Sequence, residues 1–184
     1  MDDGFLIRQV LGGNREAFRL LVVRYQRPLF RYLGGFGLER AAADELAQET
    51  FLRAFRGLGR YDARQATFSS WLFTIAKHLA LNETARSHRR APHVELPEGA
   101  SGLPAAPAAS SPHEVLDRAE RSQRVRQALH GLPELLRSPL VLAYVKELSL
   151  DDIAAVEGCA VGTVKSRIFR GKQLLRAALA ESED

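Results

Sequence analysis

The side chains best suited to bind another molecule form a basic run in the last 30 residues of the sequence, at 165–176. Five lysines and arginines lie between Gly158 and Ala180, with no acidic residue among them: Lys165, Arg167, Arg170, Lys172 and Arg176. Surface helices usually mix both signs of charge, so this pattern favours contact with nucleic-acid phosphates and base edges. The alternative is an ordinary amphipathic helix whose solvated face is basic.

A second polar group lies in the loop and helix that follow residue 60. The loop at 60–67 mixes basic, aromatic, amide and hydroxyl side chains: Tyr61, Arg64, Gln65 and Thr67. Aromatic rings stack on unpaired bases, while amides and hydroxyls read base edges. The next helix carries His78, Asn82 and Arg86 on one stripe, with Lys77 beside it. The alternative is a solvated loop and helix face.

A third group combines acidic and apolar side chains: Asp44, Glu45, Gln48, Glu49, Phe51 and Leu52. An acidic patch beside apolar residues is unfavourable for DNA and suits a basic surface on a protein partner. Ordinary placement of acids near a helix N-terminus explains Asp44 and Glu45 equally well. It does not explain Gln48 and Glu49, which lie deeper in the predicted helix.

Enzyme chemistry finds no support in this sequence. Paired carboxylates, a nucleophile motif, a phosphate-binding glycine loop and a metal-spaced His/Cys cluster are all missing, so we predict no catalytic residue, metal or cofactor. The single cysteine, Cys159, is interpreted as a packing residue. No signal-peptide pattern occurs and the longest apolar run, Leu140–Val145, is too short to span a bilayer. We therefore expect a cytoplasmic protein without membrane insertion.

The basic run must be positioned by a helix-turn-helix at about 150–170. A short apolar helical pattern stops at Gly158, and a second pattern starts at Val161. Glycine allows the positive φ that a tight turn between two helices needs. A short second helix with a basic face suits the major groove of DNA.

The wider pattern predicts an all-α protein with two small helical domains joined by a flexible linker. Residues 91–113 are rich in proline and alanine, which separates a domain at 1–90 from a domain at 114–184. The 184-residue chain has a formal net charge of +4. Its basic excess lies in residues 1–90, while basic and acidic residues are equal in number in residues 114–184.

Apolar spacing predicts where the helices lie. In the first domain we expect a helix capped by Asn14 and kinked or interrupted at Pro28, then helices over about 40–55 and 67–89. In the second we expect helices over 115–132 and 140–148 before the helix-turn-helix. Predicted core positions include Phe55, Trp71 and Val125.

Four segments together resemble a bacterial sigma-70 family RNA polymerase sigma factor of the extracytoplasmic function (ECF) group. They are Asp44–Phe55, Phe68–Ala76, Leu132-Pro133 and Gly162–Arg170, and they occur in the family's order over nearly the whole chain. The resemblance implies a sigma2-like helical bundle at 1–90 and a sigma4-like helix-turn-helix domain at 114–184. It also implies binding to core polymerase, recognition of the −35 and −10 promoter elements, and DNA melting. Control by an anti-sigma factor is a further expectation.

Three sets of site residues follow from the resemblance. The −35 element would be bound by Val161, Gly162, Thr163, Lys165, Ser166, Arg167, Arg170 and Lys172. The −10 element would be bound by Tyr61, Arg64, Gln65, Thr67, Lys77, His78, Asn82 and Arg86. The β′ clamp helices of core polymerase would be bound by Asp44, Gln48, Glu49, Phe51 and Leu52. The second domain would also meet the β flap.

Two other functions stay open from the sequence. A free-standing helix-turn-helix repressor or activator would need a dimer interface or ligand pocket, and neither pattern is present. A sigma-like domain that is kept only for protein contacts would have the same motifs. Co-purification with core polymerase distinguishes a sigma factor from the first alternative. Transcription with purified core polymerase distinguishes an active sigma factor from the second.

Overall fold

The computed structural model describes residues 2–90, 112–145 and 148–180, and these residues form helices and turns without a β-strand. This confirms the all-α prediction. The elements in chain order are α1 Asp3–Leu11, α2 Glu16–Gly34, α3 Arg40–Gly57, a short 3-10 helix Leu58–Arg60, α4 Phe68–Arg90, α5 Pro112–His130, α6 Glu134–Leu142, α7 Leu150–Glu157 and α8 Val161–Ala180.

The first half is a bundle in which α2 packs against α1, α3 and α4. Its centre is fully buried, with Leu21, Leu29, Leu72 and Phe73 each at 0 % exposure. Aromatic rings meet edge to face, as between Tyr32 and Phe73, whose centroids lie 5.4 Å apart. Such pairs add stability beyond the area that they bury. The bundle therefore holds α3 and α4 firmly while their outer faces stay exposed.

The second half is built on the packing of α6 against α8, with α7 across one end. Leu140, Ile153 and Val164 fill the space between these helices. Gly171 lies tightly against α6, since a Cβ there would lie 3.2 Å from the Leu136 carbonyl oxygen and 3.3 Å from a Leu140 methyl carbon. The missing side chain lets α6 approach the backbone of α8.

The two halves also pack against each other, through α4 on α7 and α2 on α6. The buried apolar residues of both halves form one continuous cluster. Most of the predicted linker, residues 91–111, lies outside the described residues, and its last two predicted positions belong to α5, which begins at Pro112.

Several helix boundaries differ from those expected from apolar spacing. The helix α1 was not predicted, and Arg15 rather than Asn14 is the N-terminal flanking residue of α2. Pro28 lies inside α2 without interrupting it. The predicted helix at 140–148 is wrong, because α6 spans Glu134–Leu142 with Pro139 in its interior. Burial of the α6 apolar face against α8 outweighs the usual cost of an interior proline.

Three predicted core residues are less buried than expected. Phe55 is 36 % exposed and Val125 is 38 % exposed. Trp71 is only partly buried at the edge of the core. Phe55 lies at the rim of the bundle, where its ring meets Phe18 at a centroid distance of 5.0 Å. Helical spacing identifies a face, but it does not show where that face reaches the rim of the bundle.

Candidate functional site

The helix-turn-helix is held by local hydrogen bonds at both ends of α7. Ser149 and Asp152 form a capping box, in which the Asp152 amide donates to the Ser149 hydroxyl at 3.1 Å and the Ser149 amide donates to the Asp152 carboxylate at 2.9 Å. At the other end Gly158 adopts φ 64°, in the left-handed region that favours glycine. This confirms the tight turn expected there and fixes where α8 begins.

The start of α8 turns one side inward and leaves a basic side outward. Val164 and Ile168 are buried, and Gly171 faces α6. The outward positions are Gly162, Lys165, Ser166, Arg170 and Lys172. The structure therefore brings most of the basic run predicted to bind DNA onto one accessible surface.

Three predicted residues on α8 are only partly accessible: Val161, Thr163 and Arg167. One guanidinium nitrogen of Arg167 lies 3.6 Å from the Cys159 sulfur in the turn. Cys159 is half-buried and packs against the core, in agreement with a packing role. Lys172 leans over the Tyr144 ring, with 5.8 Å between Nζ and the ring centroid. Arg167 thus braces the turn, while Lys165 and Arg170 project freely into solvent.

The loop before α4 is organised around Asp62, a residue that the sequence analysis overlooked. Its carboxylate accepts two hydrogen bonds from the Arg64 side chain, at 3.0 and 2.9 Å, and one from Gln65 at 3.2 Å. The Arg64 side chain is nevertheless 89 % exposed. Hydrogen bonding from Arg64 lowers the pKa of Asp62 to about 2. An aspartate that begins a short turn is a signal that could have identified it.

Tyr61 is placed differently from a free stacking platform. Its hydroxyl donates to the Ala66 carbonyl at 2.9 Å, and its ring packs 5.2 Å from Trp71 and 6.0 Å from Phe68. Burial raises the pKa of this tyrosine. Tyr61 therefore supports the base of the loop, while Arg64 and Gln65 are its exposed polar groups.

Only some of the α4 residues that are predicted to bind the −10 element lie on the same exposed surface. His78, Asn82 and Arg86 are exposed together on one stripe, as their spacing predicts. Lys77 instead faces α7, where its ammonium lies 2.8 Å from the Glu157 carboxylate. Thr67 donates a hydrogen bond to Asp152 at the start of α7. Two of the eight predicted residues are thus engaged by the second half of the chain.

The outer face of α3 carries the predicted polymerase-binding residues. Asp44 and Gln48 are exposed one helical turn apart, and Leu52 continues the same row at 41 % exposure. Glu49 is bonded to Arg53 at 2.6 Å, and Phe51 is half-buried against the core. The result is a narrow strip of acidic and polar groups that ends in an exposed leucine.

The described part of the chain fits neither the geometry of a metal site nor that of a membrane-spanning helix. No group of three His, Cys, Asp or Glu side chains there is placed to hold a metal ion. Among the helices over residues 2–90, 112–145 and 148–180, none is long and apolar enough to cross a membrane.

Comparison with known proteins matches both halves of the chain to one family. The family model described as Sigma-70 region 2 matches residues 21–90. The model described as Sigma-70, region 4 matches residues 122–175. The first covers most of α2 and all of α3 and α4, and the second covers the last part of α5, all of α6 and α7, and most of α8.

Relatives extend the similarity over almost the full sequence. The chain is 36 % identical over 181 residues to the RNA polymerase sigma-H factor of Pseudomonas aeruginosa, covering 96 % of this chain and 93 % of that protein. It is 33 % identical over 179 residues to the ECF RNA polymerase sigma-E factor of Escherichia coli strain K12, covering 95 % and 93 %.

Solved structures agree at the level of the fold. CnrH, solved in complex with the cytosolic domain of CnrY, is 26 % identical with a TM-score of 0.70 over 97 % of both chains. The sigma factor RpoE of Bartonella quintana, solved with the anti-sigma factor NepR, is 22 % identical with a TM-score of 0.68. That comparison covers 89 % of this chain and 96 % of the other. The chain therefore belongs to the sigma-70 family of bacterial RNA polymerase sigma factors, in its ECF group.

Proposed function

We propose that this protein is the promoter-specificity subunit of a bacterial RNA polymerase and works by binding, without catalytic chemistry of its own. The observation that carries the proposal is the acid-free basic surface of α8, which a capped α7 and the Gly158 turn hold toward solvent. An exposed helix of this kind fits the width of the major groove and can contact both base edges and phosphates.

Recognition of the −35 element is assigned to the first turns of α8. Lys165 and Arg170 project from the accessible surface, and Ser166 and Gly162 lie beside them. Arginine and lysine form bidentate or charge-assisted contacts with guanine edges and phosphates. Arg167, braced against the turn, has less freedom to reach a base than Lys165 or Arg170.

Recognition of the −10 element is assigned to the loop at 60–67 and the exposed stripe of α4. Arg64 and Gln65 offer planar polar groups to an unstacked base, and Asp62 fixes the directions of both. His78, Asn82 and Arg86 form the adjoining surface for the backbone of the same strand. Trapping an unstacked base is the step that favours local melting of the duplex.

Core polymerase is the partner assigned to α3, through Asp44, Gln48, Glu49, Phe51 and Leu52. Its acidic groups complement a basic surface, and Leu52 supplies exposed apolar area beside them. The second half of the chain would meet the β flap. Polymerase would thereby tether two modest DNA contacts to one scaffold, which raises the effective concentration of each for the promoter.

The same proposal places the protein in the cytoplasm, where polymerase and chromosomal DNA are found. It also includes control by an anti-sigma factor. The support is that two structural neighbours with a similar fold were solved with another protein bound, CnrY in one case and the anti-sigma factor NepR in the other.

A matched pair of leucine variants tests the polymerase contact. Leu52 on α3 and Leu20 on α2 are exposed to 41 % and 42 %, so truncating either removes similar apolar area. We expect Leu52→Ala to weaken binding to core polymerase about tenfold, because an exposed apolar side chain that becomes buried at an interface contributes roughly 1–2 kcal/mol. Leu20→Ala should bind like the wild type. Equal affinities of all three proteins in a fluorescence titration with purified core polymerase would contradict the assignment of α3.

A further inference from the structure

Tyr144 is the most exposed aromatic side chain in the described part of the chain, with 69 % of its surface accessible. It lies in the turn after α6, between Leu142, which is fully buried, and Val145, which is 7 % exposed. The Tyr144 amide donates to the Val141 carbonyl at 3.1 Å, and the Val145 amide donates to the Leu142 carbonyl at 2.9 Å. The backbone that carries the ring is therefore held in place, while the ring itself projects into solvent.

The ring contacts one residue of the basic run on α8. The Lys172 Nζ lies 5.8 Å from the centre of the Tyr144 ring, within the range of a cation–π contact. Among the described residues, Lys172 has no acidic partner and the Tyr144 hydroxyl has no hydrogen-bond partner. An ammonium has three donors and a phenol has one. The pair thus presents a positive charge and an available hydroxyl donor on the same part of the surface.

The flank of α8 around this pair is uniformly basic. Lys165 and Arg176 are exposed and lie seven residues before and four residues after Lys172, so the three side chains share one row of the helix. The helix has no acidic residue over Val161–Ala180. Like charges at this spacing destabilise an isolated helix. Such a row becomes favourable when a polyanion binds along it.

Position along α8 decides between a base and a phosphate as the ligand of this pair. A recognition helix contacts base edges with its N-terminal residues. Lys172 lies about three turns beyond Val161, which is roughly 16 Å along the helix axis. The major groove is about 8.5 Å deep, so this part of α8 lies at the level of the DNA backbone. Phosphate oxygens, and not base edges, are the acceptors within its reach.

We propose that Tyr144 and Lys172 form a phosphate-binding site that contacts the DNA backbone beside the groove entered by α8. Lys172 supplies the charge, the Tyr144 hydroxyl donates a hydrogen bond to a phosphate oxygen, and the ring orients the lysine. Contacts of this kind fix the register of a protein on the duplex without reading its sequence. The role of this site rests on the proposed function, because that function assigns α8 to duplex DNA.

The full-length protein and a duplex of about 30 base pairs of mixed sequence test the site, because phosphate contacts do not depend on sequence. Fluorescence anisotropy gives the binding constant at several salt concentrations. Lys172→Gln should reduce the slope of log K against log salt by about 0.9, because one phosphate contact is lost. The matched control is Arg8→Gln, which removes the same charge from an exposed side chain of α1 and should leave the slope unchanged.

Two substitutions of Tyr144 separate its hydroxyl from its ring. Tyr144→Phe should weaken binding about threefold with an unchanged salt slope, because it removes one uncharged donor. Tyr144→Ala should weaken binding about tenfold, because the support of Lys172 is lost as well. In a Lys172→Gln background the two variants should bind equally, since no lysine remains to be oriented. Leu135→Ala, at a site on α6 that is 61 % exposed, is the control and should bind like the wild type.

Circular dichroism identifies any variant that loses helix, and if Tyr144→Ala does so, Tyr144→Phe and Lys172→Gln decide. A wild-type salt slope in a helical Lys172→Gln protein would overturn the site, as would wild-type affinity in both tyrosine variants. Absence of any binding of the wild-type chain to the duplex at low salt would overturn it as well.

The proposed function is judged separately, by transcription with core polymerase. A chain that directs transcription from shared promoter elements, while its Tyr144 and Lys172 variants bind DNA normally, keeps the proposed function and loses the phosphate site. A chain whose variants show the expected losses but which never supports transcription keeps the phosphate site and loses the proposed function.

Discussion

At the scale of single residues, two acidic side chains outside the predicted site sets, Asp62 and Glu157, position residues that belong to those sets. The sequence alone does not distinguish Asp62 and Glu157 from the other acidic residues of the chain. In the structure Asp62 directs Arg64 and Gln65, while Glu157 engages Lys77. Asp62 bonds residues two and three positions further along the chain, so its role could be predicted from the local sequence. Glu157 acts across 80 positions, which spacing along the chain cannot show.

Asp62 gives a prediction about pH. Its pKa of about 2 lies below the ordinary aspartate value of about 3.9, because the folded loop stabilises its charged form. The contacts with Arg64 should therefore be complete above about pH 4 and be lost as the pH falls through about 2. An NMR titration of the Asp62 carboxyl carbon measures this. Arg64→Ala should raise the pKa of Asp62 toward the ordinary aspartate value. An Asp62 pKa of about 3.9 in the wild-type protein would contradict the hydrogen bonds between Asp62 and Arg64.

At the scale of elements, local signals predicted well and tertiary packing accounts for the errors. The turn at Gly158 and the basic face of α8 depend on residues close in sequence, and both agree with the prediction. The helix α6 was misplaced because Pro139 sits inside it, where only packing against α8 makes a proline acceptable. The helix α1 is too short for its apolar pattern to predict a helix, and its apolar residues are buried only because α1 packs against α2.

Two glycines of α8 give a matched test of how α6 supports that helix. A Cβ at Gly171 would lie 3.2 Å from a backbone oxygen of α6, whereas a Cβ at Gly162 would meet nothing within 4 Å. Gly171→Ala should lower the free energy of unfolding by about 1–3 kcal/mol through overpacking. Gly162→Ala should raise it by up to ~1 kcal/mol, because alanine favours the helix. Urea unfolding that ranks the two variants in the opposite order would contradict the close contact between α6 and α8.

At the scale of the whole molecule, the fold class followed from composition and periodicity, but the arrangement of the two halves did not. The chain was read as two domains on a linker, and the structure adds a continuous core and a polar network between them. Such an interface is built from pairs distant in sequence.

The most direct test of the central claim is transcription of bacterial genomic DNA by purified core polymerase with and without this protein, followed by sequencing of the transcript 5′ ends. We expect new start sites that share two sequence elements at a fixed separation, because two surfaces of one chain read the promoter together. Arg170→Ala should weaken the upstream element selectively, since Arg170 lies on the exposed basic side of α8. Identical start sites in the presence and absence of the protein would contradict its role as a promoter-specificity subunit.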